Sequence, residues 1–176
     1  MPKIKEDRDE AFLGLDPGKQ GGICLIDYSG RVLFYEPMPE SVQDIWNMIE
    51  TPLLTQYNVI ACIEFVSYFP TMGGVGAFSF GGNYYALQMA LTAARLPYEI
   101  VRPITWQRVF NIPSKGGNTN KHRAEHKERL RQTAQRLFPK LPIWKQPMTL
   151  GKQRAICDAI LLAEFIRRKY THKGST

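Results

Sequence analysis

AFLGLDPGKQGGICLID, residues 11–27, decides the fold: two short apolar runs, Ala11 to Leu15 and Gly22 to Asp27, flank the turn-forming stretch DPGKQG. Each run is long enough for a strand and too short for a helix. A Tyr-Ser-Gly turn signal leads into Arg31 to Glu36, so the chain opens with three consecutive strands in a meander. Working outward, Ser41 is placed to cap a helix beginning near Val42, with Ile45, Trp46, Ile49 and Leu53 at helical spacing. Val59 to Ile63 is almost wholly apolar and ends in Glu64, as expected of a central strand covered on both faces.

Phe65 to Gly82 is glycine-rich, uncharged and holds four phenylalanines, which predicts a mobile, aromatic-tipped loop. Asn83 to Leu96 predicts a helix, Tyr98 to Val101 a fifth strand, and Pro103 to Val109 a short helix. Ser114 to Asn120 reads as a flexible link to a strongly basic helix, Lys121 to Leu137. Pro139, Pro142 and Pro147 argue against regular structure before Gly151, and a last helix runs from about Gln153 to Tyr170 with Asp158 in its first turns. This order predicts an α/β architecture, a five-stranded mixed sheet with helices on both faces.

The 176 residues are 44% hydrophobic and 22% charged, the balance of one soluble domain with a full-sized core. Residues 1–10 read as a flexible charged leader, 11–171 as the domain and 172–176 as a tail. No stretch has the roughly 20 apolar residues of a membrane helix, and the charged leader is unlike a secretory signal. The expected location is the cytoplasm, associated with the nucleoid, in a phage or bacterial setting, with an organelle left open. Cys24, Cys62 and Cys157 are widely spaced in apolar runs and read as buried thiols. The net charge of +7 is concentrated: Arg102 to Arg154 holds thirteen lysines and arginines against Glu125 and Glu128 alone. That is the footprint of a polyanion-binding face, against which stands a merely solvated basic helix.

Three carboxylates stand out by position. Asp16 ends the first strand, Glu64 ends the fourth, and Asp158 interrupts the apolar stretch AICDAILLAEF, where an unpaired charge is costly. Each has an ordinary explanation: Asp16 shaping the DPGK turn, Glu64 capping a helix, Asp158 favoured by a helix dipole. Together, on two strand ends and an apolar helix, they suit a divalent cation such as magnesium or manganese, which takes hard oxygen ligands and relieves their repulsion.

These motifs in this order resemble the RuvC-type Holliday-junction resolvases of the ribonuclease H-like superfamily. LGLDPGKQGGICLID is similar to their first strand and hairpin, ACIEFV to the strand bearing a catalytic glutamate, and CDAILLAEF to the C-terminal helix supplying the last acid. SFGGNYYALQMALTAARLPYEIVRPITWQRVF is similar to the intervening stretch of phage-type and organellar members. The resemblance covers about residues 11 to 168. It implies a ribonuclease H-like fold and a homodimer that grips a four-way DNA junction and nicks two opposed strands. It further implies hydrolysis with two divalent metals, Mg2+ or Mn2+, held by Asp16, Glu64 and Asp158 as catalytic ligands. The chain departs from the family three and four residues before its last acid, where a further acid or histidine is usual and Ala155 and Arg154 stand here.

For DNA contact the sequence offers Phe78 and Phe80, with Phe65, Tyr68 and Phe69, as stacking surfaces. Lys115, Lys121, Arg123, Lys127, Arg131, Lys152 and Arg154 offer phosphate ligands. His122 and His126 have metal-binding spacing without a third ligand and fit better as part of the basic helix. Three other functions stay open: a junction-binding pseudonuclease with weak or lost cleavage, another nuclease of this fold acting on hybrids or branched DNA, and a sugar-kinase-like nucleotide fold. The last needs a second domain that 176 residues do not hold, and there is no GxxxxGK[ST] motif for a P-loop.

Overall fold

The computed structural model describes residues 8–18, 20–51, 55–66, 74–113, 116–117, 119–145 and 149–171, with the backbone alone at 75–77, 79 and 80. Five strands form one sheet: β1 (Glu10–Asp16), β2 (Gly22–Asp27), β3 (Val32–Pro37), β4 (Asn58–Glu64) and β5 (Tyr98–Val101). Their order is β3-β2-β1-β4-β5. The meander β1-β2-β3 is antiparallel, whereas β4 lies parallel to β1 and β5 parallel to β4. The helices are α1 (Val42–Ile49), α2 (Gly74–Ala93), α3 (Pro103–Val109), α4 (Asn120–Leu137) and α5 (Leu150–Thr171), with a short 3-10 turn at Pro142–Trp144. None among the described residues is long and apolar enough to cross a membrane.

Alternating side chains divide the sheet between two cores. Ala11, Leu13 and Leu15 of β1 face α1 and α2, meeting Ile45, Ile49, Leu87 and Leu91. Phe12 of β1 faces the opposite side, where Trp106, Leu130, Leu161 and Leu162 come from α3, α4 and α5. The central strand β1 is therefore buried on both faces. Helix α5 carries twelve consecutive buried residues, Ala155 to Ile166, because it lies across the sheet and beneath α4.

Glycines set how close α5 comes. A Cβ on Gly14 would lie 2.1 Å from the Ala159 carbonyl oxygen and 2.4 Å from the Ala163 nitrogen. One on Gly22 would lie 2.9 Å from the Ala155 oxygen. Ala155, Ala159 and Ala163, spaced i, i+4, i+8, thus form a small-residue stripe seated on the β1-β2 hairpin. This contact brings Asp158, one residue before Ala159, to the end of β1.

Three expectations are corrected. The glycine-rich segment is not a loop as far as Gly82, because α2 begins at Gly74. Extending a helix already formed over 83–93 fixes fewer new dihedrals than starting one, so each glycine's cost of about 1 kcal/mol is absorbed. Asp158 does not lie in the first turns of its helix: α5 starts at Leu150, with Thr149 Oγ1 accepting from the Lys152 N–H at 3.4 Å. The helix dipole therefore does not account for that acid. The proline-rich segment holds the turn at Pro142–Trp144, since proline is tolerated where a helix begins. Leu53, Tyr68, Phe69 and Lys115 lie outside the described residues, as does the side chain of Phe80. The three cysteines are free and buried, as expected.

Candidate active site

β1 and β4 are parallel neighbours, paired through Leu15 and Ile63, so the next residues, Asp16 and Glu64, emerge side by side at one sheet edge. Asp16 is 8% exposed. Glu64 accepts a hydrogen bond at 2.9 Å from Nε1 of Trp106, a fully buried ring on α3 that fixes the carboxylate's direction. From the other side α5 presents Asp158, 3% exposed.

The electrostatics show how tightly the three acids are gathered. Burial, then the charges of Glu64 and Asp158, push Asp16 well above the usual carboxylate range, and its carboxyl hydrogen-bonds to Glu64. Burial, then Asp158, pushes Glu64 up to about 7, against the bonds from Trp106 and Asp16 that favour its charge. Asp16 and Glu64 are thus a hydrogen-bonded carboxyl pair, both held above the usual carboxylate range. Asp158 takes a different partner, Lys127 of α4, whose ammonium donates to Oδ2. Burial works against the lysine's charge, but Asp158, with Asp16 and Glu64 behind it, holds its pKa above the ordinary lysine value.

A divalent cation fits this donor set. The acids are hard oxygen ligands, burial and neighbouring carboxylates push two of them above the usual carboxylate range, and Asp158 Oδ1 is buried with no hydrogen-bond partner among the described residues. Asp16, Glu64 and Asp158 would hold the ion. As they stand, no three carboxylate, histidine or cysteine side chains among the described residues are arranged to hold a metal ion, and Lys127 is paired with Asp158. The preceding turn of α5 adds no acid: Ala155 packs under Gly22, and Arg154 turns to Glu128 at 3.5 Å.

The raised pKa values of Asp16 and Glu64 make metal-free stability depend on pH. Asp16 and Glu64 have folded-state pKa values raised above their unfolded ones, so their contribution is fully present below about pH 4 and is lost as pH rises, Glu64's part through about 7. In EDTA the melting temperature is expected to fall between pH 5 and pH 8 by roughly 5 °C. A flat or rising profile in calorimetric scans would show that the two carboxyls are not coupled.

The basic residues divide. Lys121, Arg123 and Lys152 are exposed and, among the described residues, form no ion pair. Arg131 forks onto Glu128, which also pairs with Arg154. Lys127, offered above for DNA phosphates, pairs with Asp158 in this structure. Its face carried a signal for this: Lys127, Leu130 and Ala134 recur at i, i+3, i+7, and the latter two are buried. Phe78 is 84% exposed on α2. His122 Nδ1 lies 2.9 Å from the Thr119 hydroxyl at the start of α4, and His126 lines a groove of about 640 Å³ with Ile104, Gln107 and Ile112, so the two do not form a metal pair.

No protein-family model and no curated protein matches this sequence. Solved structures do. Thermus thermophilus RuvC in complex with a Holliday junction substrate superposes with a TM-score of 0.58 at 16% identity, over 92% of this chain and 97% of that one. A second structure of the same protein gives 0.59 at 17% identity over the same shares. The yeast mitochondrial Holliday junction resolvase Ydc2 gives 0.56 at 12%, over 99% of this chain and 84% of that one. Covered over nearly its whole length, this chain, with its β3-β2-β1-β4-β5 sheet, shares the ribonuclease H-like fold of these RuvC and Ydc2 structures.

Proposed function

We propose that this chain is a structure-selective endonuclease that binds four-way DNA junctions as a homodimer and nicks two opposed strands. The observation that carries this reading is the meeting of Asp16, Glu64 and Asp158 at one sheet edge in a fold shared with a RuvC that was solved on a Holliday junction. Hydrolysis joins a water oxygen to phosphorus and breaks one P–O ester bond, leaving a hydroxyl and a phosphate at the nick. Two bound Mg2+ or Mn2+ ions would supply the activated water and the charge that stabilises the leaving oxygen. The chain's own part is to hold three oxygen ligands in a desolvated edge, with Trp106 fixing Glu64 and the glycine-seated α5 fixing Asp158.

Symmetric nicking needs a second copy, and α2 offers a surface for one. This helix has no charged residue in 20 positions. One side packs Leu87, Ala90 and Leu91 on the sheet, while Phe78, Tyr85 and Met89, spaced i, i+7, i+11, are 84%, 68% and 66% exposed. An uncharged helix with such an exposed apolar stripe suits burial against a second copy of this chain.

A second reading, junction binding with weak cleavage, is favoured by the missing acid at Arg154 and Ala155 and by the ammonium on Asp158. Binding is tested by titrating a four-way junction and a linear duplex of the same sequence over a salt series, without divalent metal. Wild type is expected to prefer the junction, and the Lys121→Ala/Arg123→Ala variant to bind both more weakly with a log–log salt slope reduced by about 1–2. Equal affinity for both DNAs would remove junction selectivity, and an unchanged slope would assign α4 to the solvent face.

A further inference from the structure

We propose that Lys127 is an exchangeable internal cation, holding Asp158 while no divalent ion is bound and leaving it when one binds. The proposal rests on the reading of Asp16, Glu64 and Asp158 as metal ligands. Its geometry is that of a removable plug. Asp158 is enclosed, with 5% of its side chain exposed, but the lysine that reaches it is 44% exposed, so its stem lies along the surface and can swing out without repacking the core. A lysine is a single charge on a flexible stem, unlike Arg131, whose planar fork grips both oxygens of Glu128.

The division of labour at the site fits the same account. Lys127 meets Asp158 through Oδ2 alone, leaving Oδ1 buried and unpartnered among the described residues. A divalent ion offers Asp158 more charge than one ammonium does and would bind Asp16 and Glu64 directly, whereas Lys127, hydrogen-bonded to Asp158, reaches them only through space. The lysine thereby lets three converging acids fold before metal arrives, at the cost of weakened metal affinity.

The test is Mn2+ binding to the full-length protein without DNA, read by the loss of the free-ion paramagnetic resonance signal and by calorimetry. Wild type, Lys127→Met, Lys127→Arg and Asp16→Asn are compared. Lys127→Met removes the competitor and is expected to bind Mn2+ at least about tenfold more tightly than wild type. It should also melt lower than wild type in EDTA and gain more on adding Mn2+. Lys127→Arg, which keeps the charge and folds if the methionine variant does not, is expected to bind Mn2+ more weakly than wild type. Unchanged or weakened binding in Lys127→Met, with Asp16→Asn lowering wild-type binding, would overturn the exchange and leave the metal site standing. Absence of Mn2+ binding in every variant and in wild type would overturn the metal reading and the exchange with it.

Discussion

Asp16→Asn is expected to reduce junction cleavage by a factor of about a thousand or more while leaving junction affinity within about threefold. The substitution is nearly isosteric, and Asp16 sits at the end of β1, whereas the exposed cations offered for phosphate contact are on α4 and at the start of α5. It removes one carboxylate charge from the acid group and none of those cations. A second effect has the opposite sign. Because Glu64 and Asp158 both press on Asp16, a neutral amide relieves repulsion that the native protein tolerates, and metal-free Asp16→Asn is expected to melt a few degrees above wild type at pH 8. Gel assays of labelled junctions, anisotropy titrations and thermal melts check the three parts. Cleavage retained in the variant would place the chemistry elsewhere.

Gly14→Ala is expected to cost about 4 kcal/mol or more, enough to lower the melting temperature by more than about 10 °C or to abolish cooperative unfolding. The added methyl would meet the Ala159 oxygen at 2.1 Å and the Ala163 nitrogen at 2.4 Å, both backbone atoms that no rotamer change can move. The whole of α5 would have to lift from β1, unpacking Phe12, Cys157, Leu161 and Leu162 and carrying Asp158 away from Asp16. Gly81→Ala on α2 is the control. A Cβ there has nothing within 4 Å, and the change is expected to stabilise by about 0.5–1 kcal/mol through helix propensity. If Gly14→Ala melts like wild type, α5 does not lie this close to the sheet.

The strands were legible because each is a short apolar run bounded by turn chemistry. Gly22–Asp27 and Tyr98–Val101 have their expected bounds, and the other three differ by a residue or so at an end. The helix start at Ser41 was equally plain, its hydroxyl accepting from the Asp44 N–H at 3.0 Å. The first turns of α2 were not legible, because glycine composition argues for a loop whereas the helix propagates from its better half. The three acids stood out because a carboxylate ending or interrupting an apolar run is rare. The groups that hold them did not. Trp106 looked like any core aromatic until β4 brought Glu64 to its indole N–H, a contact 42 residues apart in the chain. Lys127 was one cation among many on a basic helix, and only the packing of α4 on α5 singles it out.

The most direct test of the central claim is cleavage of a labelled synthetic four-way junction by the wild-type protein in Mg2+ and in Mn2+, with linear duplex and RNA–DNA hybrid as controls. Paired nicks at symmetric positions on the junction alone are the predicted result. Equal cutting of hybrid or linear duplex, or tight junction binding with no cutting in either metal, would contradict it.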